Sequence, residues 1–259
     1  MHRSRSIAAT VALLFTMLWA PLGQTEFLVE HWMKVGTFAA PFLLLGALAF
    51  APEPGEGRFL AEPRTAAVAL LLAYIAHQFE EHWVDVTGAT YAFYAQTNEM
   101  LLGKLGAGPG AEYPLTREAI FVINTTLVWL VGALAIWRAP RFVFPTLAMA
   151  SITVVNAVVH IAAGALSGAY NPGLLTAFVV FLPLGLAVYR AALATGTATR
   201  RTVAVSLVWA VLGHVLMVGG LLAANWFHAI SQSAYFVALG VWSALPSLLE
   251  RQLDARREP

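Results

Sequence analysis

His77, Glu80 and Glu81 follow one another at i, i+3 and i+4 in an apolar run. On a helix that spacing puts all three on one face, with Tyr74 one turn before them. Farther along, Thr153, Asn156 and His160 stand at i, i+3 and i+7, and His214 lies in a later apolar run. Asn124 and Thr125 interrupt another. Two adjacent carboxylates in an apolar setting repel, so at least one must be protonated, paired with a cation or hydrated. No Lys or Arg lies in these runs at that level. What remains is a proton, a protonated imidazole or a metal ion. The chain has no cysteine, so a metal site would be built from nitrogen and oxygen, a donor set that suits zinc or iron. An open coordination position on such an ion generates a hydroxide or binds oxygen.

The elements that hold these residues are membrane spans. Of 259 residues, 59% are hydrophobic and only 11% charged, too few to make the shell of a soluble domain of this size. A span needs about 20 mostly apolar residues at ~1.5 Å rise. Eight stretches qualify: 7–22, 27–50, 65–85, 117–137, 142–167, 172–193, 202–225 and 231–250. Turn and breaker signals separate them, including Pro21-Leu22-Gly23, the Pro52–Arg64 segment and the Gly- and Pro-rich 103–114 segment. The first stretch has the basic start of a signal peptide, but Leu18 and Pro21 make a poor cleavage site after Ala20. The expected fold is therefore an all-α, polytopic helical bundle of about eight spans, seven if the first is cleaved. It forms one integral membrane domain over 1–259, with 86–116 as an outer loop or lid and 251–259 as a short cytoplasmic tail.

Basic residues set the expected orientation. With the N-terminus inside, the inner segments hold Arg3, Arg5, Arg58, Arg64, Arg138, Arg141, Arg190, Arg200, Arg201, Arg251, Arg256 and Arg257. Only Lys34, Lys104 and Arg117 fall on the other side. The positive-inside rule then puts both termini in the cytoplasm, and the bacterial cytoplasmic membrane is the expected location. In that frame His77, His160 and Asn124 all sit roughly 10–12 Å below the outer surface, with His214 a turn deeper. The site is expected to open outward. A charged group inside a span costs roughly 2.5–3.5 kcal/mol, so a common depth for these clusters points to one shared site.

Other polar residues read differently. His31, His82 and His228 fall near the outer surface and read as interfacial. Glu30 and Lys34 read as a structural i, i+4 pair. Asn124-Thr125-Thr126 matches a glycosylation sequon but lies within a span. Tyr170-Asn171-Pro172-Gly173 opens the sixth span, with Asn171 read as its N-cap and Pro172 as its first helical residue. The helix N-terminus so formed could hold an anionic group.

Three of these segments together resemble the integral membrane family named for its HXXEE motif, whose members also carry NXXXH and YXPG motifs. Here they read His77-Gln-Phe-Glu80-Glu81, Asn156-Ala-Val-Val-His160 and Tyr170-Asn-Pro172-Gly173, the last followed by Thr176. Order and spacing match over roughly 65–226. The family is named for its motifs and not for an activity, so the resemblance implies where the site is and adds little about the reaction.

The function expected from these residues is a metal-dependent membrane enzyme acting on a lipophilic, lipid- or isoprenoid-like substrate. His77, Glu80, Glu81, His160 and His214 are the candidate metal ligands, for zinc or iron. Glu80, Glu81 and Asn156 are the candidate catalytic groups, and Tyr74, Asn124, Tyr170 and Asn171 the candidate substrate contacts. Hydrolase or lyase chemistry is slightly favoured over oxidation at iron. One alternative is a metal-free intramembrane hydrolase using Glu and His. Its parts are similar to those of the glutamate-type prenyl-processing proteases, although the downstream Arg of their acidic motif is missing here. A second is a proton- or ion-coupled transporter, against which the inner half of the bundle shows almost no polar path.

Overall fold

The computed structural model describes residues 26–50, 59–108 and 110–253. Within them the protein is all helical, with no strand. The helices are α1 (Glu26–Phe50), α2 (Pro63–His82), α3 (Ala92–Leu105), α4 (Arg117–Arg138), α5 (Phe144–Ser167), α6 (Leu174–Ala194), α7 (Arg200–Asn225) and α8 (Gln232–Leu253). Each span expected after the first is present as a helix. The expected span over 7–22 and the end of the expected tail, 254–259, lie outside the described residues.

Among the described residues five helices, α4 to α8, are long and apolar enough to cross a membrane, consistent with an integral membrane protein. Of the other two expected spans, α2 ends in His77, Gln78, Glu80, Glu81 and His82, and these polar side chains lower its apolar character.

α2 starts where Glu62 caps it. The Glu62 carboxylate accepts from Arg64 N at 3.1 Å and Thr65 N at 2.5 Å, and Pro63 occupies the first turn, where its missing N–H costs nothing. The helix then runs through the interior, packed against α1, α4 and α5. Its residues Ala66, Ala67, Leu70 and Tyr74 are almost wholly buried. α5 is the second interior helix and touches α2, α4, α6, α7 and α8. At its crossing with α6 a Cβ on Gly185 would lie 2.5 Å from Val154 Cγ2, so only glycine permits that approach. By contrast α6, α7 and α8 show apolar side chains on their outward faces, among them Val179, Val215 and Val237. Such faces suit contact with lipid chains.

The connection from α2 to α4 folds back on the bundle. Asp85 accepts from Thr87 N at 2.8 Å and Ala89 N at 3.0 Å, which closes a tight turn. α3 follows, so the expected outer loop contains a 14-residue helix. Asn98, fully buried on α3, accepts from Leu115 N at 3.0 Å and donates to Leu115 O at 2.9 Å. That clamp fixes the entry to α4.

Two helices widen locally to i→i+5 hydrogen bonding, α4 over Asn124–Leu130 and α6 over Ala177–Phe181. A π-helical stretch costs stability and is common at functional sites. Both stretches touch the polar cluster: Asn124 through His82, and Phe181 by packing its ring 4.3 Å from that of His77.

Candidate metal centre

Three side chains from two helices meet in the interior. Glu81 Oε2 lies 3.5 Å from His77 Nε2, and Glu81 Oε1 lies 3.4 Å from His160 Nε2. His77 and Glu81 stand one turn apart on α2, and His160 comes across from α5. All three are buried, and one donor atom from each lies within 4.8 Å of the others.

The other nitrogen of each imidazole is committed elsewhere, which fixes the tautomers. Thr176 donates its hydroxyl to Gly173 O at 3.2 Å, so its oxygen is free to accept from His77 Nδ1 at 2.8 Å. Asn171 donates its amide to His160 O at 3.1 Å, which turns its Oδ1 toward His160 Nδ1 at 2.7 Å. Both Nδ1 atoms therefore carry the proton, and both Nε2 atoms present lone pairs toward Glu81. Two lone pairs and a carboxylate facing one another repel unless a cation sits among them. An ion with bonds of ~2.0–2.2 Å in tetrahedral geometry holds its ligand atoms roughly 3.3–3.6 Å apart; each imidazole nitrogen lies in that range from one Glu81 oxygen, His77 from Oε2 and His160 from Oε1. His77 Nε2 is also buried without a hydrogen-bond partner. The group can hold a metal ion.

Glu80, next in the chain, faces α6 instead. Its Oε1 accepts from Leu175 N at 3.0 Å and from the Tyr170 hydroxyl at 2.9 Å, and its Oε2 accepts from Thr176 N at 2.7 Å. Glu80 thus caps the α6 N-terminus from another helix, where the helix dipole favours a carboxylate. The expected vacancy for a substrate anion at that N-terminus is filled by the protein itself. Burial, and then the neighbouring Glu80 carboxylate, raise the Tyr170 phenol above its ordinary value, so it stays a donor. Tyr170 and Asn171, the expected substrate contacts, hold Glu80 and His160.

α6 also begins later than expected, at Leu174, and Asn171 does not cap it with its side chain. Gly173 sets that start with a φ of +92°, in the left-handed region. A Cβ there would lie 2.6 Å from His77 Cε1 and 3.0 Å from His160 Cε1. The last residue of the Tyr-x-Pro-Gly segment is a glycine because the backbone lies against both imidazoles.

His82 departs from its interfacial reading. It is buried, with Nε2 2.9 Å from Glu81 Oε2. A nitrogen that close to a carboxylate must carry a hydrogen, so His82 donates to Glu81. Asn124 lies beyond it, with Nδ2 3.4 Å from the same nitrogen and Oδ1 accepting from Gln78 at 2.9 Å. Trp129 donates to Gln78 Oε1 at 3.0 Å and completes the chain of contacts. Gln78 and Trp129 were not singled out by sequence; two polar positions inside apolar runs were the available signal.

Tyr74 and Asn156 lie one helical turn before the ligand pair, on α2 and α5. The Tyr74 hydroxyl and the Asn156 side chain are neighbours, and neither that hydroxyl nor Asn156 Oδ1, both buried, makes a hydrogen bond of good geometry. Buried polar atoms without partners are uncommon and call for a ligand or water. His214 stands apart from the three, with Nδ1 on Ala210 O at 2.8 Å. Glu30 pairs with Arg117 at 2.5 Å and not with Lys34, whose ammonium lies 5.3 Å from the Trp83 ring. Nine residues before His160 on α5, Ser151 joins a hydroxyl cluster, bonding Tyr189 at 2.6 Å and Ser206 at 2.8 Å.

The residues that build this centre fall in a stretch with a known signature. Residues 68–188 match the family model described as a protein of unknown function with HXXEE motif. This stretch belongs to the HXXEE family. Comparison with curated proteins and with solved structures gave no match. The motifs now have physical roles in this chain. The first supplies His77 and Glu81 to the centre and Glu80 to the α6 cap. The second supplies His160, and the third supplies its orienting Asn171 and the cradle at Gly173.

Partners that orient ligands from outside the centre contribute about 10- to 100-fold to metal affinity. Thr176→Val and Asn171→Leu should each weaken zinc binding by that factor without removing a ligand, measured by competition with a chromophoric chelator. Unchanged affinity in both variants would sink the assignment of Thr176 and Asn171 as orienting groups.

Proposed function

We propose that the protein is an integral membrane metalloenzyme in which His77, Glu81 and His160 hold one zinc or iron ion. The observation that carries this reading is the paired commitment of the two Nδ1–H groups, which leaves both Nε2 lone pairs directed at one buried carboxylate. Two histidines and a glutamate are a donor set used by catalytic zinc, which keeps a further position open. When bound, such an ion supplies Lewis acidity to a carbonyl or phosphoryl oxygen, or a nucleophilic hydroxide.

The protein's own residues divide the remaining work. Tyr74 and Asn156, neighbours whose polar atoms lack a well-formed hydrogen bond, orient a substrate's polar group. His82 holds Glu81 from the other side. Glu80 positions α6, and through it Gly173 and Thr176, so it is not the general base in this reading. The apolar surroundings support a lipophilic substrate arriving from the bilayer, with hydrolase or lyase chemistry ahead of iron oxidation. The basic residues support cytoplasmic termini and a centre toward the outer side of the bacterial cytoplasmic membrane.

A second reading is a metal-free hydrolase, favoured by one contact: the Glu81–His82 pair at 2.9 Å could by itself orient a water. Elemental analysis of the full chain, purified without chelator and reconstituted with zinc or ferrous iron, separates the two. About one ion per chain is expected in the native protein and none in His77→Ala/His160→Ala. No stoichiometric metal in the native protein would overturn the first reading and leave the second.

A further inference from the structure

α5 changes character along its length. From Phe144 to Val154 every residue is buried; beyond Val154 only Ala157, His160 and Gly164 are. The face that becomes uncovered is the one that meets α7. Ser151, Val155, Val158, Ala162 and Leu166 follow one another along it at three- and four-residue spacing. Ser151 is fully buried and bonds Ser206 of α7 at 2.8 Å, whereas Val158 is 53% and Leu166 89% exposed. Farther along, α7 turns to α8 instead. A Cβ on Gly213 would lie 2.9 Å from Trp242 and one on Gly220 2.6 Å from Tyr235, whose hydroxyl donates to Met217 O at 2.8 Å. The C-terminal halves of α5 and α7 part, and a cleft opens between them at the apolar surface of the bundle.

The closed end of the cleft lies beside the centre. Ser151 and Ser206 touch; His160 is nine residues beyond the first and His214 eight beyond the second. On helices that run the same way the two histidines share a level, and they interact electrostatically. His214 is half-buried and donates Nδ1–H to Ala210 O at 2.8 Å, which leaves its other nitrogen for a partner outside its own helix. Asn156, also half-buried, stands one turn before His160.

These walls select an occupant. From Asn156 to Leu166 the cleft runs about 15 Å, lined on α5 by Val, Ala and Leu. Apart from Arg200 and Arg201 at the start of α7, neither helix carries a charged side chain, so a charged head group would find no counterion at that depth. The Ser151–Ser206 contact still joins the helices below, which leaves width for one slender chain.

We propose that this cleft holds the substrate, a single-chain lipid whose hydrocarbon lies along Ala162 and Leu166 and whose uncharged polar head reaches Asn156 and His214 beside His160. The inference rests on the metal reading for its chemistry and adds to it the route, the shape of the substrate and a role for His214.

The test uses zinc-loaded full-length protein in nanodiscs of one fixed lipid composition, titrated calorimetrically with acetohydroxamate and dodecanohydroxamate. A hydroxamate head occupies the open position of a zinc ion, and the constant lipid cancels partitioning of the long probe between variants. Ala162→Trp, which fills the cleft, should weaken dodecanohydroxamate about tenfold and leave acetohydroxamate and zinc affinity unchanged. Val218→Trp, one turn beyond His214, should do the same, and Val237→Trp on the outward face of α8 should change neither probe. His214→Phe should weaken both probes about five- to tenfold, the worth of one hydrogen bond. If acetohydroxamate binds but dodecanohydroxamate is held equally by the native protein and the two cleft variants, the cleft is overturned and the metal reading stands. If acetohydroxamate does not bind the native protein, the metal reading falls and takes this inference with it. Unchanged binding of both probes to His214→Phe would overturn the placement of the head. Should Ala162→Trp fail to fold, Val218→Trp decides alone.

Discussion

A Glu81→Gln variant is expected to bind zinc at least about 100-fold more weakly than the native protein, yet to melt at a higher temperature once both are metal-free. The first half follows from ligand loss, because an amide is a poor substitute for a carboxylate between two imidazoles. The second half follows from what the empty centre contains. In the metal-free native protein a buried carboxylate faces two imidazole lone pairs at 3.4 and 3.5 Å, with only the His82 N–H to favour its charge. Holding a charge there is costly. Glutamine removes the charge and satisfies two of the same neighbours: its oxygen accepts from His82, and its NH2, at the Oε1 position, donates to His160 Nε2. Metal reverses the order. At 100 times its Kd, an ion adds about 2.7 kcal/mol to the native protein, worth roughly 5–10 °C in a chain of this size. Melting curves for both proteins, with chelator and with zinc, should therefore cross. Parallel responses to zinc would mean that Glu81 is not a ligand.

The helices and the pairing of α2 with α5 were legible because apolar runs and i, i+4 spacing are local properties. His77 and Glu81 share a face whatever the rest of the protein does. Which of two adjacent carboxylates enters the centre is a different question. Glu80 and Glu81 point about 100° apart on their helix, and only the packing of α6 against α2 decides that Glu80 meets the α6 N-terminus. His82 was read as interfacial because it sits at the end of an expected span. The Asp85 turn sends α3 back over it, and Trp32 arrives from α1, so two non-local contacts bury it. The start of α6 was misjudged for a related reason. Asn and Pro followed by an apolar run are a good capping signal, but His160 takes the Asn171 side chain and Gly173 takes a φ that no helix allows. Local signals were overridden wherever a residue had a partner on another helix.

Gly173→Ala tests whether that override matters to the centre as a whole. Two penalties fall on the same atom. An alanine at a φ of +92° is strained by roughly 1–3 kcal/mol. Its methyl group would also sit 2.6 Å from His77 Cε1 and 3.0 Å from His160 Cε1, in a region already filled by Phe181 and Thr176. Overpacking a close-packed interior typically costs a further 1–3 kcal/mol. The imidazoles can yield only by breaking their Thr176 and Asn171 bonds, so zinc binding should fall with stability. Gly168 and Gly196 provide the control. Both have positive φ, +64° and +67°, and a Cβ on either meets nothing within 4 Å. Gly168→Ala and Gly196→Ala should lose about 1 kcal/mol from backbone strain, with zinc affinity intact. If Gly173→Ala behaves like these two, the backbone does not crowd the imidazoles and the third motif has no part in shaping the centre. If it alone loses zinc, with its helices still folded by circular dichroism, the glycine holds the two histidines in register.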